Sequence, residues 1–319
     1  MARKVKWGIA GLGNIANKFA ADLIKNSESD LVAVASSDLE RAIKFKSSYG
    51  AKRAYKYYDQ LFDDEDVEVV YIASLNNCHK KMTFNALGSR KAVLCEKPLG
   101  LNTTEIKQMI EKAKNQNCFL MEALWSRFNP AINRAKKWIK EGKIGIPRFI
   151  YAEFSFYRLD ADISHRLMDP EKGGGALLDI GIYPLFLAYY ILGMPKKIKA
   201  QRMFGPTGVD IQTSMILEYE DAHAMLYCGI TNPSENNAKI CGTSGQIILP
   251  GRWHDTQSIK LINNTKVLED KLPTEGNGFN YQIKEVNQCI INKKTEGKWS
   301  HKNSLELASL LENVKKFSD

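Results

Sequence analysis

No two of the six cysteines form a Cys-x-x-Cys pair; positions 78, 95, 118, 228, 241 and 289 lie far apart. That pattern argues against a disulfide scaffold and for reduced, packed thiols in a cytosolic protein. A secretory leader is also missing, since Met-Ala-Arg-Lys runs directly into Val5-Lys6-Trp7-Gly8-Ile9-Ala10 with no apolar core and cleavage site before it. There is no low-complexity tract and no repeat with a period of roughly 20–50 residues. The formal charge of +9 suits an anionic partner, but Lys and Arg occur in ones and twos (Lys136-Lys137, Lys196-Lys197, Lys293-Lys294). Without a basic block interleaved with aromatics, nucleic acid is not an expected partner. No Gly-x-Ser-x-Gly elbow occurs, and Gly242-Thr-Ser-Gly245 reads as a turn between strands. Asp160, Asp162, His165 and Asp169 crowd one loop in no known ligand spacing, and the other histidines (79, 223, 254, 301) are isolated. No metal is expected.

What is present is an ordinary globular composition, 44% hydrophobic and 25% charged, in 319 residues, long enough for two domains. Up to about residue 120 short apolar runs (5–10, 31–35, 67–73, 92–95, 119–121) alternate with helical patterns (14–25, 39–49, 80–87, 104–115). Asn102-Thr103-Thr104 supplies capping chemistry for the last of these. Such alternation implies a parallel, doubly wound sheet, the Rossmann architecture. Residues 1–122 are therefore read as a dinucleotide-binding domain and 123–319 as a substrate and oligomerisation domain, whose last helix can pack back on the first. In the second part a helix at 130–140 and a strand at 147–157 precede a polar loop, 158–172. Strand-like runs at 197–203, 213–219, 222–230, 237–241, 246–249, 258–262 and 266–268 then predict an open, predominantly antiparallel sheet. Helices at 279–291 and 304–317 close the chain. The nearly uncharged run 176–194 is long enough to mislead a hydropathy scan. Asp179, Gly181 and Pro184 within it point to a buried helix rather than a membrane span.

Three motifs carry chemistry. Gly11-Leu12-Gly13-Asn14-Ile15-Ala16 joins the first strand to the first helix, where a tight turn lets backbone N–H groups approach a pyrophosphate. At the end of the second strand stand Ser36 and Ser37, with Arg41 a turn into the next helix. Hydroxyls and a guanidinium there welcome a 2′-phosphate, which favours NADP over NAD. Asp38 is read as a helix N-cap or, alternatively, as a ribose ligand for NAD. Glu96-Lys97-Pro98 puts a charged pair at the carboxyl end of an apolar strand, where open α/β sheets bind ligands. In Gly173-Gly174-Gly175-Ala-Leu-Leu-Asp179-Ile-Gly-Ile-Tyr183 a single acid sits in an apolar run, with a phenol four residues on. On an α-helix both share one face, and the carboxylate needs a partner.

These motifs, in this order, together with Ser74–His79, resemble the Gfo/Idh/MocA oxidoreductase family, the relatives of glucose–fructose oxidoreductase. The stretches 121–130 and 169–173 look most like its dimeric dihydrodiol dehydrogenase and NADP-dependent xylose dehydrogenase branch. The resemblance implies that Lys97, Asp179 and Tyr183 form the catalytic group. Tyr183 would be the acid/base, helped by the Lys97 ammonium, and Asp179 would orient the set. Ser74, Asn76 and His79 match the cofactor-contacting stretch, with Leu75 in place of a frequent Pro. Ser37 stands where the branch carries Arg, which leaves Arg41 as the main 2′-phosphate candidate. Trp125, Phe154, Trp253 and Phe279 are implied as aromatic walls of the substrate pocket, with Arg148 nearby. The implied activity is NAD(P)-dependent oxidation of a sugar, polyol or dihydrodiol by a cytoplasmic homodimer or larger homo-oligomer. A non-catalytic NAD(P)- or sugar-sensing protein, and a sugar–sugar oxidoreductase with a tightly held cofactor, are the alternatives.

Overall fold

The strand β1 (Val5–Ala10) has five of its six residues buried, as a strand covered on both faces requires. The computed structural model of the protein describes residues 3–160, 162–264 and 266–317. Position 161 of the polar loop, position 265 and the two residues at each chain end lie outside the described residues. From β1 the chain continues through α1 (Asn14–Leu23), β2 (Ser29–Ala35), α2 (Leu39–Tyr49), β3 (Arg53–Tyr55), α3 (Tyr58–Phe62) and β4 (Val69–Ile72). Then come α4 (His79–Gly88), β5 (Ala92–Glu96), α5 (Thr103–Asn115) and β6 (Leu120–Ala123). The six strands form one parallel sheet in the order β3-β2-β1-β4-β5-β6. Strand order reverses at β1, so the carboxyl ends of β1 and β4 flank the crevice where such sheets bind ligands. Capping follows the sequence: Asp38 accepts the Arg41 N–H at the start of α2, and Asn102 accepts the Glu105 N–H at the start of α5. The short β3 and α3 were not anticipated, because three- and five-residue elements carry no readable period.

The second part contains α6 (Pro130–Lys140), β7 (Pro147–Ser155), α7 (Ile182–Leu192), β8 (Lys197–Phe204), β9 (Asp210–Glu218) and β10 (His223–Gly229). After them come β11 (Ala238–Gly242), β12 (Gly245–Leu249), β13 (Ser258–Asn263) and β14 (Lys266–Lys271). These eight strands form a sheet in the order β14-β13-β12-β11-β7-β10-β9-β8, antiparallel except for the parallel pair β7–β10. Alternation along the strands sends Ile150, Ala152, Met215, Leu217, Ala224 and Leu226 into the core, and α7 packs on β7 and β10. Pro170–Leu192 is apolar and long enough to cross a membrane by length and composition, but it is mostly buried within the protein.

The helices α8 (Asn280–Ile291) and α9 (His301–Lys316) follow. The chain folds as two compact units, Met1–Trp125 with Glu275–Leu305, and Ser126–Thr274 with Glu306–Asp319. The second unit is thus not the contiguous 123–319 expected. The reason is local to α8, whose Asn287 accepts from the Trp7 indole (2.9 Å) and donates to Ser29 Oγ (2.9 Å), while Phe279, Ile283 and Val286 are buried. The first unit is completed by α8 and by the first turn of α9, where His301 Nε2 lies 3.0 Å from the Leu120 carbonyl oxygen.

Candidate active site

In the first unit, Gly11 has a φ of +92°, and a Cβ there would lie 2.7 Å from the Ala73 carbonyl oxygen. Only glycine lets β1 turn this closely past the end of β4. The turn opens into α1, whose N-cap is Gly13 and whose first turn receives no side-chain cap. Asn14, Ile15 and Ala16 begin that helix, so its amino end offers backbone N–H groups and a positive dipole end. Those features fit a dinucleotide pyrophosphate. Past β2, the buried Ser36 accepts the Asp38 N–H at Oγ (3.2 Å), and Ser37 is exposed. Arg41 and Asp38 are paired at 3.6 Å, both substantially exposed. The acid that could serve a ribose is therefore occupied as a cap and as the partner of Arg41.

Beyond β4, Ser74 and the exposed Leu75 precede a 3₁₀ turn, Asn76–Cys78. His79 is fully buried, with Nδ1 2.8 Å from the Pro98 carbonyl oxygen and Nε2 3.2 Å from that of Ser74. Burial lowers its pKa against the pull of these two carbonyls, and the proton of the neutral form belongs on Nδ1, where the contact is shorter. His79 thereby ties the turn after β4 to the segment after β5. In that segment the Lys97–Pro98 peptide is cis. Glu96, only 6% exposed, points into the sheet, where Oε1 accepts the Tyr71 hydroxyl at 2.5 Å. Burial pushes its carboxyl up to about 7, against the opposing pull of Tyr71 and Lys97. Trp125 stacks on Phe279 (5.0 Å between centroids), and Phe279 meets Phe19 edge-on (6.1 Å), which itself stacks on Tyr71 (3.7 Å). Two expected pocket walls, Trp125 and Phe279, are thus brought together by contacts with no sequence proximity.

In the second unit the glycine triplet closes a turn. Gly175 has a φ of +100°, and a Cβ would meet Asp210 Oδ1 at 2.5 Å. Asp210, 3% exposed, accepts the Leu177 N–H (2.7 Å) and pairs with Arg202 (3.3 Å). Gly175 therefore serves the packing of this turn on Asp210, whereas Gly174 lets it pass the carbonyls of Arg166, Leu167 and Asp169. Leu177–Gly181 forms a π-helical turn, and the α-helical pattern starts only at Ile182. The i→i+5 turn loosens the winding between Asp179 and Tyr183, but residues four apart are still close to one full turn and stay on about the same face. Asp179 pairs with Arg166 at 3.0 Å, its side chain 12% exposed and that of Arg166 44%. Arg166, missed in the polar loop, answers the need of a carboxylate in an apolar run. The other polar groups of that loop close turns: Asp162 accepts the Ser164 N–H, His165 that of Leu167 and Asp169 that of Glu171.

Tyr183 lies against Phe154 (5.5 Å) and His254 (5.1 Å), whose rings stack on each other at 4.2 Å. His254 is isolated from other site residues in the sequence, and only the tertiary fold sets it beside Tyr183. Trp253 is wholly buried, its indole N–H donating to the Glu153 carbonyl (2.8 Å). It belongs to the packed interior, and its neighbour His254 faces Phe154. Arg148 is paired with Asp221 at 3.1 Å. Six residues along β7 from Phe154, it stands about 20 Å away, and the fold does not bring it to Tyr183.

A parallel sheet with a glycine turn under an uncapped helix end, in a chain that also builds an open mixed sheet, is the architecture of a dinucleotide-binding protein. The model of the Gfo/Idh/MocA oxidoreductase family, NAD-binding Rossmann fold, matches residues 5–124, and that of the Gfo/Idh/MocA C-terminal domain matches 132–248. The chain belongs to this family and is an NAD(P)-dependent dehydrogenase. It is 38% identical over 301 residues to the trans-1,2-dihydrobenzene-1,2-diol dehydrogenase of Mus musculus, covering 90% of this chain and 88% of the relative. The Homo sapiens enzyme of that name is 34% identical, with 98% and 96% covered. Among solved structures, an aldose–aldose oxidoreductase from Caulobacter crescentus superposes with a TM-score of 0.91 at 24% identity, covering 99% of this chain and 98% of that one. A 3-ketoreductase from Actinomadura kijaniata, solved with NADP and TDP-benzene, gives 0.89 at 24% over the same shares. At that identity the two structures establish the fold.

Proposed function

We propose that the protein oxidises a secondary alcohol of a dihydrodiol, sugar or polyol, or reduces the matching carbonyl, with Tyr183 as acid/base and Lys97 and Asp179 assisting. The observation that carries this reading is the 38% identity to a diol dehydrogenase over 90% of the chain, with every residue of the proposed set present. A bound nicotinamide supplies the hydride acceptor. Tyr183 takes the hydroxyl proton as the alcohol is oxidised, and returns it in reduction. The Lys97 ammonium bonds the substrate oxygen and favours the phenolate form of Tyr183. Asp179, held by Arg166, offsets positive charge near the phenol. Phe154, with His254 stacked behind it, packs beside Tyr183 and gives the phenol an apolar, aromatic surrounding that suits a ring substrate. We further propose NADP as the preferred cofactor through Arg41, a cytoplasmic location in keeping with six free thiols, and a homo-oligomer built on the open sheet.

The test is a panel of dihydrodiols, aldoses and inositols with NAD and NADP, followed by absorbance of the reduced cofactor. Lys97→Met and Tyr183→Phe should each lower kcat by at least about a hundredfold while cofactor still binds. Near-wild-type turnover by either variant on the best substrate overturns the assignment, and a blank panel despite cofactor binding overturns the activity.

A further inference from the structure

Lys97 stands in a segment whose backbone is held at three successive residues. Its own N–H donates to Glu96 Oε2 (3.3 Å), the Pro98 carbonyl accepts from His79 (2.8 Å), and the Leu99 N–H donates to Glu122 Oε1 (3.0 Å). The three side chains come from β5, α4 and β6, and all are buried. Neutral amides would satisfy the same groups, whereas buried carboxylates carry a desolvation cost. Each carboxylate has a further donor, Tyr71 for Glu96 and the Trp299 indole (3.0 Å) for Glu122. In the β5–β6 register Cys95 faces Glu122 and Glu96 faces Ala123, so the carboxylates leave the sheet on opposite faces. The titratable groups that act on Glu96 are Tyr71 from β4 and Lys97 from its own segment, with a weaker influence of Glu122 across the sheet.

We propose that Glu96 is a positioning residue for Lys97: its ionised carboxylate, oriented by the Tyr71 hydroxyl, holds the Lys97 backbone and supports the cationic ammonium. This inference rests on the role given to Lys97 above. Because burial raises the Glu96 carboxyl to about 7, the group loses its proton as pH rises through neutrality, and kcat rises with it. The Tyr71 O–H favours the ionised form. Removing it moves that ionisation, and the acid limb of kcat, to higher pH.

The experiment compares kcat and KM across about pH 5 to 9 for the wild type, Tyr71→Phe, Glu96→Gln and Lys97→Met at saturating cofactor. Cofactor affinity and thermal midpoint are followed in parallel. The wild-type kcat should climb about tenfold through an inflection near neutrality. Tyr71→Phe should displace the inflection upward by about one unit, and Glu96→Gln should erase it, lowering the plateau about tenfold with little change in KM. A wild-type profile flat between about pH 6 and 8 overturns the proposal, as does an unmoved inflection in folded, cofactor-binding variants. If both variants misfold, infrared titration of the carboxyl band in the wild-type protein decides. An ionisation matching the kinetic inflection supports the role, and one well below it removes the role. Activity in Lys97→Met would instead strike the underlying reading. Loss there, with wild-type behaviour in Glu96→Gln, fails this inference alone.

Discussion

At the scale of single residues, the ion pair of Arg166 and Asp179 shows how a costly carboxylate is accommodated. Asp179 sits among Leu177, Leu178 and Ile180, all buried, and its nearly buried side chain gains a charge-assisted hydrogen bond from Arg166 at 3.0 Å. Because the guanidinium is partly exposed, the pair is worth less than a fully buried one. Arg166→Met should cost about 1–2 kcal/mol of stability and, if Asp179 assists Tyr183 as proposed, lower kcat, since the carboxylate loses the guanidinium that helps orient it. A double-mutant cycle with Asp179→Asn checks this. Coupling of about 1 kcal/mol is expected, and strict additivity would show that the two side chains do not act on each other. Arg166→Lys should recover only part of the loss, because an ammonium lacks the planar fork.

At the scale of elements, the π-helical turn is the distinctive local feature, and it depends on Gly175. A methyl at that position meets both a φ of +100° and Asp210 Oδ1 at 2.5 Å, so Gly175→Ala should destabilise the protein by on the order of 2–4 kcal/mol. The thermal midpoint should fall by roughly 5–10 °C, and kcat should fall with it. An unchanged midpoint in thermal unfolding would mean that the turn relaxes freely. The same turn marks the limit of what the sequence discloses. Helix starts at Asp38 and Asn102, the glycine turn at Gly11 and the alternating strands are all local chemistry, and each was legible. The π turn leaves no periodic signature, because it differs from an α-helix by one residue over five. Arg166 and His254 went unrecognised because their partners, Asp179 and Phe154, are set by folding. Likewise α8 joins the first unit through Asn287, more than 250 positions from Trp7 and Ser29, a separation no window can span.

At the scale of the whole molecule, one face of the eight-stranded sheet is where the proposed homo-oligomer would form. The strand register sets Lys199, Ile216, Met225, Tyr151, Lys239, Ile248 and Lys260 in one row across seven strands, on the side opposite the core-directed residues. Ile216 and Met225 are 43% and 48% exposed, an apolar pair that continues into Tyr151 and is bounded by Lys199 on one side and Lys239 on the other. An apolar centre with a polar rim is the anatomy of a protein interface. Two copies meeting about a twofold axis would each offer the same row, and an interface of about 1,600 Å² would suffice for stable pairing. Near such an axis one substitution enters the interface twice. Met225→Glu would then bring two carboxylates into an apolar contact, a penalty of several kcal/mol that weakens association by a hundredfold or more. Light scattering coupled to size exclusion should report an oligomer for the wild type and a monomer for Met225→Glu, with the thermal midpoint of the monomer showing that the sheet itself survives. A wild type that is monomeric at micromolar concentration would leave this apolar row without the partner proposed for it.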